Sequence, residues 1–128
     1  MTASAIVPGA PLERPARNTP LRSFADTVSA PPDRVFDALV PRVRPDNPEG
    51  GSFSTDPVRR LLVSQSGWWY RGEWRVLPDP AGSRVEYEIV NVAPTAHWVG
   101  PLTGRGMLKQ SPATFRSLIA ELERELGA

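Results

Sequence analysis

Residues 105–126 read RGMLKQSPATFRSLIAELEREL, and the spacing of their apolar side chains decides the fold. Advancing 100° per residue from Phe115 brings Phe115, Leu118, Ile119, Leu122 and Leu126 into one arc about 100° wide, with Arg116, Glu121 and Arg124 opposite. This is an amphipathic helix with one buried stripe. Gly127 follows the last periodic residue, where a helix C-terminus often takes glycine. Burial of the five side chains contributes at most roughly 7–15 kcal/mol before conformational entropy is charged. The same phase carried backwards puts Leu108 on the stripe and Met107 at its edge, so the helix should begin near Gly104 and run for about 22 residues. Pro112 then lies inside it, removing one backbone hydrogen bond and crowding the carbonyl of Leu108. A kink is expected there, and the alternative is a break with a separate helix capped by Ser111. The half from Phe115 onward reads as the anchor, and the half around Met107 and Leu108 as the gate.

A helix that apolar on one face needs a covering layer, and the rest of the chain supplies strands. At 128 residues, 40% hydrophobic and 23% charged, the composition is that of one globular domain. A formal charge of +1 implies neither nucleic acid nor an acidic membrane as partner. Cysteine is absent, which removes disulfides, thiolate nucleophiles and zinc–thiolate sites. No run approaches the roughly 18 apolar residues of a membrane span. No basic region followed by an apolar block marks a secretory signal, so a cytoplasmic location is the expectation.

In chain order, residues 1–20 hold Pro8, Pro11, Pro15 and Pro20 with no period, and read as a disordered Pro-rich tail before a domain over 21–128. LRSFADTVS from Leu21 alternates Phe24 and Val28 on one face and fits a strand. Pro32 suits a first helical turn, Asp33 its positive end, and Val35, Phe36, Leu39 and Val40 recur at helical spacing until Pro41. Residues 41–57 form a Pro- and Gly-rich loop, with a short strand around Gly51–Ser54. Val58, Leu61, Leu62 and Val63 read as a strand ended by Ser66-Gly67. Residues 68–77 then alternate, with Trp68, Tyr70, Trp74 and Val76 on one face and Trp69, Arg71, Glu73 and Arg75 on the other. A turn over Pro78–Gly82 leads to an antiparallel partner with Val85, Tyr87, Ile89 and Asn91 inward and Arg84, Glu86 and Glu88 outward. One antiparallel sheet with one face solvated and the other covered by the terminal helix, an α+β fold, satisfies these patterns.

FADTVSAPPDRVFDALV resembles the opening of the SRPBCC helix-grip superfamily of START domains, polyketide cyclases and pathogenesis-related allergens. There a first strand runs into a helix start matched here by Ala30, Pro31, Pro32, Val35, Phe36 and Leu39. YRGEWRVLPDPAGSRVEYEIV is similar to the family's last hairpin, and GRGMLKQSPATFRSLIAELERELG to its closing helix. The resemblance spans residues 21–127 and implies an antiparallel sheet wrapped around the long helix. It also implies a small hydrophobic ligand, such as a lipid or polyketide, held between the two. This chain departs from the family in replacing a second short helix and further strands with the stretch 41–57, so the grip should be shallower. A cone of the nuclear-transport-factor type is the alternative fold, but it begins with helices.

The candidate ligand wall is Trp68, Tyr70, Trp74 and Tyr87, with Met107 and Leu108 at the gate. Asp26 and Asn91 are the polar candidates, since they share strand parity with inward apolar residues. A buried Asp26 would need a partner or a function. His97, the lone histidine, reads as a rim residue or a pocket acid/base. Glu86 and Glu88 read as a solvated face rather than metal ligands, and Arg71 and Arg75 as their neutralising partners together with Glu73. No nucleophile elbow is present, and GPLTGRG lacks phosphate-loop spacing, so no cofactor is implied. Three functions remain open: a hydrophobic-ligand binder, a cyclase using Tyr70, Tyr87, Asp26 or His97 as proton relays, and a filled domain acting through protein contacts. A cavity above about 300 Å³ lined by Trp68, Trp74 and Tyr87 would favour the first two, and a filled interior the third.

Overall fold

The computed structural model describes residues 10–44 and 51–127. β1 (Thr19–Val28) leads into α1 (Pro32–Val43). β2 (Ser52–Asp56), β3 (Leu61–Ser66), β4 (Tyr70–Asp79) and β5 (Gly82–Asn91) then form a meander. One turn of 3-10 helix (His97–Val99) and α2 (Gly100–Thr103) precede α3 (Arg105–Leu126). The five strands make a single antiparallel sheet in the order β1-β5-β4-β3-β2, so the first strand returns beside the last. The fold is α+β, with a long closing helix and a short helix after the first strand.

Register explains which face is buried. Leu62, Trp74, Tyr87 and Phe24 stand opposite one another across β3, β4, β5 and β1, and one step along Val63, Glu73, Glu88 and Ser23 do the same. The first row points at the helices. There Val28, Val35, Leu39, Leu62, Val76, Val85, Ile89 and Leu122 exclude water completely.

α3 runs without a break through Pro112, as the helical phase predicts. Pro112 lacks the N–H that would bond the Leu108 carbonyl. The Ser111 hydroxyl donates to that carbonyl instead, at 2.7 Å, and is itself buried. The stripe comprises Leu108, Ser111, Phe115, Ile119 and Leu122, whereas Leu118 and Leu126 are only partly covered. Gly127 closes the helix in an extended rather than a left-handed conformation, its N–H bonded to Glu123 O at 2.8 Å. α1 starts at Pro32 as expected but passes Pro41 and ends at Val43. Its last turn is held by Arg42, which donates to Ala38 O at 2.7 Å and pairs with Glu121 and Glu125 of α3.

Two strand boundaries differ from the reading of the sequence. The short strand after the loop lies at Ser52–Asp56, and Val58 stands exposed in a turn rather than in β3. Asp56 makes that turn, accepting the N–H groups of Val58 and Arg59.

The outer face of the sheet is not simply solvated. Residues 1–9 of the expected Pro-rich tail lie outside the described residues, while residues 10–18 cross this face from β2 to the start of β1 at Thr19. Ala10 is buried with Leu61 and Val63, and its carbonyl accepts the Ser54 hydroxyl at 2.5 Å. Arg71, outward on β4, donates to the carbonyls of Pro11 at 2.6 Å and Leu12 at 2.9 Å. These carbonyls belong to a segment with no strand partner, so a guanidinium is what satisfies them.

Candidate functional site

The inner face was read as an aromatic wall, and Trp74, Tyr87 and Phe115 do meet there. The Trp74 and Tyr87 rings stack at 3.9 Å between centroids, with Phe115 6.1 and 6.3 Å from them and Phe24 5.4 Å from Phe115. Phe24, Trp74, Tyr87 and Phe115 form one stack between the sheet and α3. None of the four recesses with volumes near 280, 340, 380 and 410 Å³ is lined by Trp68, Trp74 and Tyr87 together.

Tyr70 and Tyr87 share a hydrogen bond of 2.6 Å between hydroxyls. Tyr70 arches over Gly72, where a Cβ would collide with its hydroxyl end. Burial pushes both phenols above their ordinary range. Both therefore stay protonated at neutral pH. One hydroxyl donates to the other, and the second proton has no partner among the described residues.

The other candidates fall elsewhere. Trp68 is corrected from strand to turn: Ser66 pairs with Tyr70, so Gly67, Trp68 and Trp69 form the β3–β4 connection and strand alternation starts only at Tyr70. Gly67 turns the chain at φ +61°, a conformation open to glycine. Trp68 is exposed as a result, and Trp69, assigned outward, is the buried ring. Its backbone carbonyl accepts Val92 N–H at 2.8 Å. Asp26 has inward parity but lies at the sheet edge, exposed, accepting the N–H of Thr27 at 2.8 Å, so it carries no desolvation cost. Asn91 is fully committed to structure, donating to His97 O and accepting Ala93 N–H. His97 is equally engaged. Nδ1 donates to Ala93 O at 2.9 Å, and Nε2 shares a hydrogen bond of 2.8 Å with the Thr19 hydroxyl. Leu108 is core rather than gate, and Met107 is exposed.

What the sequence reading missed is the end of the molecule built around Trp69. Gly100 and Gly104 pack against its ring, and at either position a Cβ would run into the indole. Two glycines four residues apart on α2 and the start of α3 make a flat seat for a large ring, and that spacing is the signal available in the sequence. The segments converging on Trp69 carry Trp68, Trp98, Leu102 and Met107, four of the five exposed large hydrophobic side chains among the described residues. Beside them an open recess of about 280 Å³ is lined by Ser66, Gly67, Trp69, Tyr70 and Met107.

A larger recess, about 410 Å³, lies on the outer face between residues 12–14 and Arg59, Leu61, Glu73 and Arg75. Its charges are already matched. Glu73 accepts from Arg71 at 2.7 Å and from Arg14 at 2.8 and 2.9 Å, and Arg14 also pairs with Glu88. Arg59 is held by Asp56, and Arg75 pairs with Glu73 at 3.5 Å. Burial pushes the Glu73 carboxyl upward, but the hydrogen bonds from Arg14 and Arg71 outweigh it and hold Glu73 below the usual range. A face so compensated is a fastening, and we place the candidate site at the Trp69 end.

Compared with protein-family models, with curated proteins and with solved structures, the chain matches none.

Proposed function

We propose that the protein binds a small, largely apolar molecule at the Trp69 end, in the recess lined by Ser66, Gly67, Trp69, Tyr70 and Met107. The observation that carries this is an open recess beside the buried Trp69 indole that includes exposed Met107, with exposed Trp68, Trp98 and Leu102 on the segments that flank or pack on that ring. Leaving four such side chains in water costs stability that a partner would recover, and exposed apolar patches mark binding sites. A recess near 280 Å³ sits at the lower end of ligand-site volumes, which limits the guest to a small molecule or the end of a chain. When Tyr87 donates to Tyr70, the Tyr70 proton is free for the recess it lines, which favours a guest with one oxygen acceptor. The order of strand, helix, meander and long closing helix accords with a helix-grip relationship. In this chain the ligand would enter at the end of the grip instead of filling it.

Catalysis of the cyclase type has less support. The two tyrosines are held protonated, both His97 nitrogens are engaged and Asp26 is exposed, so among the described residues no two ionisable groups converge on the recess. The stacked interior favours one other reading, a filled domain that uses the same apolar end for protein contact. Native mass spectrometry of the protein purified from its own host separates the two. A single co-purifying small molecule, lost in Met107→Asp, is the expected result. The bare polypeptide mass, with no small molecule recovered on extraction, would overturn the ligand reading.

A further inference from the structure

We infer that β1 is a dimerisation edge through which two copies pair antiparallel about a two-fold axis at Phe24, joining their sheets. β1 is ten residues long, and its only strand neighbour among the described residues is β5. A long exposed edge is a template for another strand. Two hydrogen bonds reveal which backbone groups face outward. Thr27 N–H is held by its neighbour's Asp26 carboxylate and Leu21 O by the Arg22 guanidinium, so both point away from β5. Backbone direction alternates along a strand, which puts the amides and carbonyls of Ser23 and Ala25 on the same free edge.

The sequence of this edge is complementary to itself. With Phe24 on the axis, Ser23 faces Ala25 as hydrogen-bonded pairs, and Thr27 faces Leu21, which sits at the bulge between Pro20 and Arg22. Arg22 then faces Asp26 twice, at the non-hydrogen-bonded positions where Cα atoms approach to about 4.5 Å. Opposite charges directly across strands favour that register. Among the described residues neither Arg22 nor Asp26 forms an ion pair within its own chain. Each instead occupies a backbone group of β1 that a second strand would take over. Phe24 is half-buried, and beside it an open recess of about 380 Å³ between β1 and α3 includes Asp26, Pro112, Phe115 and Arg116. The partner's Phe24 and Arg22 would close it.

The assembly stops at two. Pro20 lacks an N–H and limits pairing to the stretch from Leu21 to Thr27. The opposite edge, β2, is a five-residue strand already touched by Ala10, so it offers no equivalent surface. A two-fold interface uses the same patch on both copies and closes on itself.

Sedimentation equilibrium of the full chain tests this. Wild type is expected to run at twice the monomer mass at micromolar to millimolar concentration. Asp26→Arg, an exposed site, sets like charges across the axis and should weaken the dimer at least about tenfold. The exchange Arg22→Asp with Asp26→Arg should restore it to within about threefold, since both pairs re-form with reversed sign. Ala25→Pro removes an outward N–H, leaves β1–β5 pairing intact and should give a folded monomer by circular dichroism. Monomeric wild type, a dimer untouched by Asp26→Arg or Ala25→Pro, or an exchange variant no better than Asp26→Arg alone would each overturn the proposal.

Discussion

The two faces of β4 bury side chains of opposite character to the same degree. Trp74 on the inner face is 8% exposed, while Arg71 and Glu73 on the outer face are 0% and 2% exposed. The inner face meets this with stacked rings from its own sheet and α3. The outer face meets it with a guanidinium that must find a carboxylate and three oxygens, two of them backbone carbonyls from residues 11 and 12. Strand alternation therefore assigns a side but not a solvent exposure. One face is stabilised by area and shape, the other by exact partnering of charge, and they should fail under different insults.

The largest expected effect is on the ring stack. Phe115→Ala opens a cavity among Trp74, Tyr87 and Phe24 and should cost about 3–5 kcal/mol in urea unfolding at any pH where the protein folds. A loss under 1 kcal/mol would mean the interior relaxes around the gap and is not the anchor. On the outer face, Arg71→Met leaves Glu73 buried with Arg14 as its main partner and strands the carbonyls of Pro11 and Leu12. Stability should fall by about 3 kcal/mol, and cleavage near Arg17 by trypsin should accelerate. Arg71→Met combined with Glu73→Leu should recover part of that loss, because the carboxylate then no longer has to stay buried with one partner fewer. If the double variant is worse than the single, the pair is worth more than its desolvation cost.

Acid separates the faces more gently. The folded-state pKa of Glu73 is depressed, so its contribution is complete above the carboxylate's unfolded pKa and is lost as pH falls through the lower folded value. Unfolding free energy measured from pH 6 down to pH 2 should fall more steeply in wild type than in Glu73→Gln. Identical slopes would mean that Glu73 does not link the outer face to pH.

Local patterns made the inner face legible and left much of the outer face unread. Phe115, Ile119 and Leu122 follow a 3.6-residue period, and Trp74 and Tyr87 a two-residue period, so their directions are set by neighbours in sequence. The pairing of Arg71 with Glu73 was also visible, as two residues on one strand face. Nothing local to Arg71 announces that the chain 60 residues earlier would lie over it. Prolines at 11 and 15 suppress both helix and ladder, and that suppression is as compatible with a strap as with a disordered tail. Trp69 was misplaced for a related reason. Residues 68 and 69 continue the alternating pattern of β4 in sequence but lie in a turn whose length is fixed by the pairing of Ser66 with Tyr70. Asp26 shows the limit of parity at an edge, where an inward direction still leads to solvent.

The proposed site puts an apolar guest at the Trp69 end, outside the stack of Trp74, Tyr87, Phe115 and Phe24. Titration with a medium-chain fatty acid, followed by tryptophan fluorescence, tests it in wild type and in Met107→Asp. Wild type should show saturable one-to-one binding. Met107→Asp, on an exposed side chain, should weaken binding at least about tenfold with the melting temperature changed by less than about 2 °C. Saturable binding that Met107→Asp leaves unchanged would place the guest elsewhere and rule out the Trp69 end as its site.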